Sequence, residues 1–261
     1  MSDFSAIGQL VTEARNLLDS IKGGAIRTMQ TTFDSSLVSW GNKLDAAIAK
    51  HTADFRNVIA PVTDQLPNIA LTGNQSLIIA DGNTVPTSFR ANSHTTFELV
   101  KYVPSDPLSR DGEVLSLLTE IESGVLKEFS DFSIRKNSHY KHGFNIIRLS
   151  WDFSGGSKEW LIYPTYRGQS VPIASMMTAA AFVKLESGYL NGTASAFAKG
   201  AVLGEWRFTR STHLGSDFGS YLHSRPYASS DVGSMLIALP VVGTGYIDHP
   251  KKLFAMPEIS E

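Results

Sequence analysis

Apolar residues recur at helical intervals through the first sixty positions and then fall into short runs cut by turn residues. Ile7, Leu10, Ala14, Leu17 and Ile21 are spaced 3, 4, 3 and 4, the heptad seam of a helix built to meet another helix. Ser2 or Asp3 supplies the N-cap, and Lys22 lies near the negative end of the helix. Gly23-Gly24 is expected to end it in a left-handed cap and hinge. A second helix is expected from Ala25 to Ala60, with Met29, Phe33, Leu37, Trp40, Leu44, Ile48, Phe55 and Ile59 mostly 3, 4 or 7 apart. Pro61 is expected to close it after a rise of about 54 Å. His51 lies seven residues from both Leu44 and Val58, where a polar side chain in a helical bundle can fix register. A helix of about 18 residues is marginal alone in water. The seam therefore requires a partner, either the rest of the chain or another copy. Ile7, Leu10, Ala14, Leu17, Ile21, Leu37, Leu44 and His51 are the expected oligomerisation residues.

Beyond Pro61 the texture changes. Pro61, Pro67, Gly73-Asn74 and Asp81-Gly82-Asn83 are turn chemistry at short spacing. Strands are expected at 68–71, 76–80, 95–103, 144–153, 158–166, 180–186, 201–209, 234–239 and 245–248, with hairpins at Asp81-Gly82 and across Ser154–Ser157. One helix interrupts them over 113–129, capped by Asp111 and weakened in its interior by Gly124. The fold class is α+β, mainly β. Residues 1–60 form a helical oligomerisation segment, and residues 61–261 form an antiparallel β-sandwich-like body with one embedded helix.

Charged residues make up only 18% of the chain, which leaves room for extensive subunit contact. The formal net charge of -2 gives no general electrostatic case for nucleic acid or an anionic membrane. With no cysteine, disulfides, thiol catalysis and zinc–thiolate sites are excluded. Val171–Val183 and Val232–Gly243 are the longest apolar-leaning stretches, and both fall short of the roughly 20 residues a membrane helix needs. Met1-Ser2-Asp3 lacks the basic start of a signal peptide. A soluble chain made in the cytoplasm, without membrane insertion, is expected.

Catalytic and cofactor motifs are missing: no phosphate loop, no HExxH, no GxSxG. No cofactor, metal site or catalytic residue is assigned. His139 and His142 lack a third ligand nearby. Asp152 and Glu159, across the Ser154–Ser157 turn, are the one carboxylate pair worth weighing for glycan cleavage, and their spacing is equally ordinary for a strand end. The long polar stretch 215–231 has no strand periodicity. Its Asp217, Tyr221, His223, Arg225 and Tyr227 are the candidate recognition surface for a host-surface glycan or protein.

The segment from Ala14 through Arg15, Asn16, Leu17, Leu18, Asp19, Ser20, Ile21, Lys22, Gly23, Gly24 and Ala25 to Ile26, followed by a helix rich in Thr, Asp, Phe and Ala, resembles the N-terminal region of tail fibre and tail-associated proteins of tailed bacteriophages. The resemblance covers about the first 60 residues. It implies a homotrimeric virion component whose N-terminal helices attach to other tail proteins and whose β-rich part faces the host. A collar, adaptor or decoration protein, and a glycan-binding module or hydrolase, are the alternatives.

Overall fold

The computed structural model describes residues 2–65, 68–138, 142–172, 176–192, 196–214, 222, 224–254 and 256–257. The chain divides into two compact units, Met1–Pro61 and Val62–Glu261.

The first unit is built on one helix, α1, from Ser2 to Gln65. Two helices joined by a glycine hinge are not found. Each glycine costs about 1 kcal/mol of helix propensity relative to alanine but bars no helical dihedral, so the ladder runs on. Thr28 Oγ1 donates to the Gly24 carbonyl at 3.0 Å, one turn back, as Thr31 does to Arg27 at 2.9 Å. Pro61 also fails to end the helix. It removes one backbone donor, and the element continues to Gln65. At 1.5 Å per residue α1 spans about 96 Å.

The second unit is mainly β. Its strands are β1 (Phe89–Ala91), β2 (Thr95–Val103), β3 (Phe144–Asp152), β4 (Ile162–Pro164), β5 (Met176–Ser187), β6 (Trp206–Leu214) and β7 (Val232–Thr244). Five form an antiparallel sheet in the order β2-β3-β7-β5-β6, and β1 pairs with β4 in a separate two-stranded sheet. The second helix, α2, runs from Gly112 to Val125.

Both faces of the large sheet are buried. Along β5, Ala180 and Phe182 join the core beneath α2, and Met177, Ala179, Ala181, Val183 and Leu185 join the opposite core. Over that opposite face lie Leu77, Phe89, Leu161, Ile162 and Phe197, from loops and the small sheet. β7 holds this alternation through a bulge. Ala180 faces Val241 and Phe182 faces Ala238, so β7 carries one extra residue there. Leu239 takes φ 51°, and Pro240, which has no N–H, sits at the irregularity. The expected strand at 234–239 therefore belongs to one 13-residue strand that runs past Pro240 and ends before Gly245.

Several other expectations change. The hairpin between 144–153 and 158–166 does not form, because β3 already has β2 and β7 on its two edges. Leu161 and Ile162 enter the core opposite α2 instead, and β4 pairs with β1. Segments 68–71 and 76–80 are irregular. Residues 69–71 bond through their backbone to Val242 and Thr244 of β7, with an isolated bridge from Ala70 to Gly243, whereas at 76–80 Asn74 donates to the carbonyls of Ile78 and Thr87 and accepts from the Ile78 N–H. The strand expected at 201–209 begins only at Trp206, after a turn at Gly204.

α2 is capped by Asp111, whose carboxylate accepts from the Val114 N–H at 2.8 Å. Gly124 does not weaken a free helix but permits its packing. A Cβ there would overlap the Trp206 carbonyl of β6. Two buried charges tie α2 to its surroundings. Arg110 donates to the carbonyls of Pro104, Ser105, Ile134, Arg135 and Asn137 at 2.7–3.1 Å. Glu122 accepts from the Ile134 N–H at 2.9 Å and pairs with the Arg135 guanidinium at 2.7 Å. Burial pushes the Glu122 carboxyl up. The hydrogen bonds from Arg135 and Ile134 outweigh it, and the net shift is downward.

A group with a depressed folded pKa contributes stability above its ordinary pKa and loses it as pH falls through the folded value. Glu122→Gln is therefore expected to cost about 2 kcal/mol at neutral pH, the scale of a charged buried hydrogen bond. The difference from the parent should shrink as the pH is lowered below the ordinary carboxylate range. Urea unfolding at pH 7 and in acid checks both statements.

Candidate functional site

Two features stand out, each within its own unit. The first is the surface of α1. Every described side chain from Phe4 to His51 is exposed. The large apolar ones are at least 51% exposed, with Leu10 at 70% and Trp40 at 73%. A continuous helix lets its apolar row be followed past the glycines. Phe4, Ile7, Val11, Ala14, Leu18, Ile21 and Ala25 are 3 or 4 apart, averaging 3.5. The row continues without a gap through Met29, Phe33, Leu37, Trp40, Leu44, Ile48 and His51. In this second part Met29, Trp40 and His51 are eleven apart, as are Phe33 and Leu44, and Leu37 and Ile48. Leu10 and Leu17 broaden the first part on one side. Of the expected oligomerisation residues, Ile7, Ala14, Ile21, Leu37, Leu44 and His51 lie in this row, and Leu10 and Leu17 lie beside it. Val11 and Leu18 lie in the first expected helix, one position beyond Leu10 and Leu17 of the expected seam, and Ala25 lies past the expected glycine break.

The second feature is an aromatic–arginine cluster on the β body. Trp160 and Tyr163 meet edge to face, centroids 5.3 Å apart. The Arg225 guanidinium lies 4.4 Å from the Tyr163 ring centre and 5.6 Å from that of Trp160. Tyr227 pairs through its backbone with Trp160, the Leu161 N–H donates to the Pro226 carbonyl, and the Ala228 N–H donates to the Glu159 carbonyl. Arg167 lies over Tyr166 beside the same two-stranded sheet, 5.5 Å from its ring centre. Arg225 and Tyr227 are thus brought together on Trp160, in a segment pinned by backbone bonds. Asp217, Tyr221 and His223 lie outside the described residues. Trp160 and Tyr163 were missed as site residues because alternation with apolar neighbours read as core. Tyr163 is indeed buried, and Trp160 is half-buried. Chemically the cluster offers a fixed cation against ring faces, suited to an anionic or sugar-like surface group.

The other candidates do not combine. His139 lies outside the described residues, and His142 is exposed. Asp152 accepts from the Ser154 N–H of its own turn, and Glu159 accepts from Asn92, so the two carboxylates serve different loops. Asp131 binds His249 at 2.9 Å and Lys251 at 2.7 Å. Lys251 and His249 hold its carboxyl down at about 2. Among the described residues no group of three or more His, Asp or Glu could hold a metal ion, and no helix is long and apolar enough to cross a membrane.

No family model, curated protein or solved structure matches the chain.

Arg225→Ala is expected to lower the stability of the β body by about 1 kcal/mol, the scale of a partly desolvated cation–π contact. Arg225→Lys should recover only part of it, because the planar stack is lost. Denaturant unfolding followed by tryptophan emission measures both.

Proposed function

We propose that this chain is a structural virion protein of a phage tail, a fibre or receptor-binding component that assembles as a homotrimer through α1. The reading is supported first by the exposed apolar row of α1, running over more than forty residues of one helix. A single helix cannot keep such a row in water and remain ordered. The row is too long and too regular for a chance surface patch. Its first part is broadened by Leu10 and Leu17, giving a face wider than the narrow seam of a two-stranded coil. That width favours a helix flanked by two copies. The likeness of Ala14–Ile26 to phage tail proteins supplies the biological setting.

In this reading the β-rich body is sandwich-like, its second layer being the small sheet and the loops that share its core. It carries the receptor surface, with the Arg225–Trp160–Tyr163 cluster as the part that meets a host glycan or protein. The helix joins copies and neighbouring tail proteins.

Leu10→Asp with Leu17→Asp is expected to abolish assembly while leaving the β signal in circular dichroism nearly intact. Each fully buried Leu contributes about 1.5–3 kcal/mol per subunit. Light scattering gives the mass, and an unchanged mass would contradict the seam. Adsorption of the assembled protein to host cells, lost in Arg225→Ala, supports the receptor role. Assembly without adsorption would point to a collar or adaptor.

A further inference from the structure

We propose that the copies of α1 associate in parallel and in register, and that their winding changes at Gly23-Gly24. The inference rests on the self-association argued above and specifies its geometry. Up to Ala25 the apolar row averages 3.5 residues per step, the repeat that winds helices left-handed around each other. From Met29 to His51 the row takes six steps over 22 residues, an eleven-residue repeat of 3.67 per turn, which winds right-handed. The glycine pair lies between Ile21 and Ala25, where the repeat gives way. No side chain lies within 4 Å of the place where either glycine would carry a Cβ. Steric demand within the chain therefore does not require glycine there. A backbone that must adjust its winding at that point does have a use for two residues of low helix rigidity.

Orientation follows from charge. Leu44 lies in the row, and Lys43 and Asp45 stand about 100° to either side of it. Neither has an opposite charge three or four residues away, so the helix offers them no internal ion pair. In a parallel, in-register neighbour the lysine edge of one copy meets the aspartate edge of the next at nearly the same height. An antiparallel neighbour sets like edge against like edge. In the sequence, Asp54, Phe55 and Arg56 repeat the arrangement eleven residues on with the signs exchanged. Among parallel alignments such an exchange keeps neighbours complementary only in register. An antiparallel neighbour can pair Lys43 with Asp54, but it sets the heptad part of one copy against the eleven-residue part of the next, and the two parts wind with opposite hands. The parallel register stacks His51 on His51, so the polar member of the row meets polar partners instead of an apolar layer.

The absence of cysteine makes the test direct. Ile21→Cys and Ile48→Cys are made separately in the full-length chain and oxidised under native conditions. Each variant alone should give disulfide-linked chains in most of the material. Linkage only when the two variants are mixed would overturn the parallel arrangement, with self-association intact. An assembled protein in which neither variant links would overturn the register. Monomers of both variants and of the parent, by light scattering, would remove self-association itself. As an independent check, Lys43→Asp should lower the thermal midpoint of the assembly, and adding Asp45→Lys should restore it. Failure of the second change to restore it would overturn the inter-copy pair.

Discussion

In the proposed assembly, withdrawal of the α1 apolar row from water is the interaction on which the first sixty residues depend. The helix has few internal reasons to be so long. It contains Gly8, Gly23, Gly24 and Gly41, several threonines, and Pro61. None of these is a strong helix former, and the two adjacent glycines alone cost about 2 kcal/mol relative to alanine. Packing of the apolar face must supply the difference, as it does for most helices in proteins. In the second unit burial is internal to the chain. A five-stranded sheet is covered on both faces, and its cores are reached by alternate residues of the same strands.

That two-sided burial explains the details of the β body. A bulge at Leu239-Pro240 keeps the second half of β7 in phase with β5. Gly124 lets α2 approach the backbone of β6. Arg110 and Glu122 satisfy backbone groups of the loop beyond α2, which would otherwise be buried without partners. The surface cluster at Trp160 is positioned by the same economy. Its segment leaves β3 because β3 has no vacant edge, and residues 226–228 then pair antiparallel with it.

Much of this was legible in the residues. The helical spacing of the N-terminal region, the strand 95–103, the cap at Asp111 and the body of α2 follow from periodicity and capping alone. The single helix was not, because Gly-Gly reads locally as a stop and only the persistence of the row on both sides argues otherwise. The partner of β3 was not legible either. A Ser-Gly-Gly-Ser turn signals a local hairpin, whereas pairing with β2 and β7 is decided by long-range burial. In the recognition stretch the backbone pairing of Tyr227 with Trp160 joins residues 67 apart, beyond the reach of any local pattern.

Dilution of the full-length protein, with mass by light scattering and helicity by circular dichroism at each concentration, tests the central claim most directly. The account predicts a mass about three times that of the 28.4 kDa chain. It also predicts that helicity falls together with mass as the chains separate. A monomer of undiminished helicity at every concentration would contradict it.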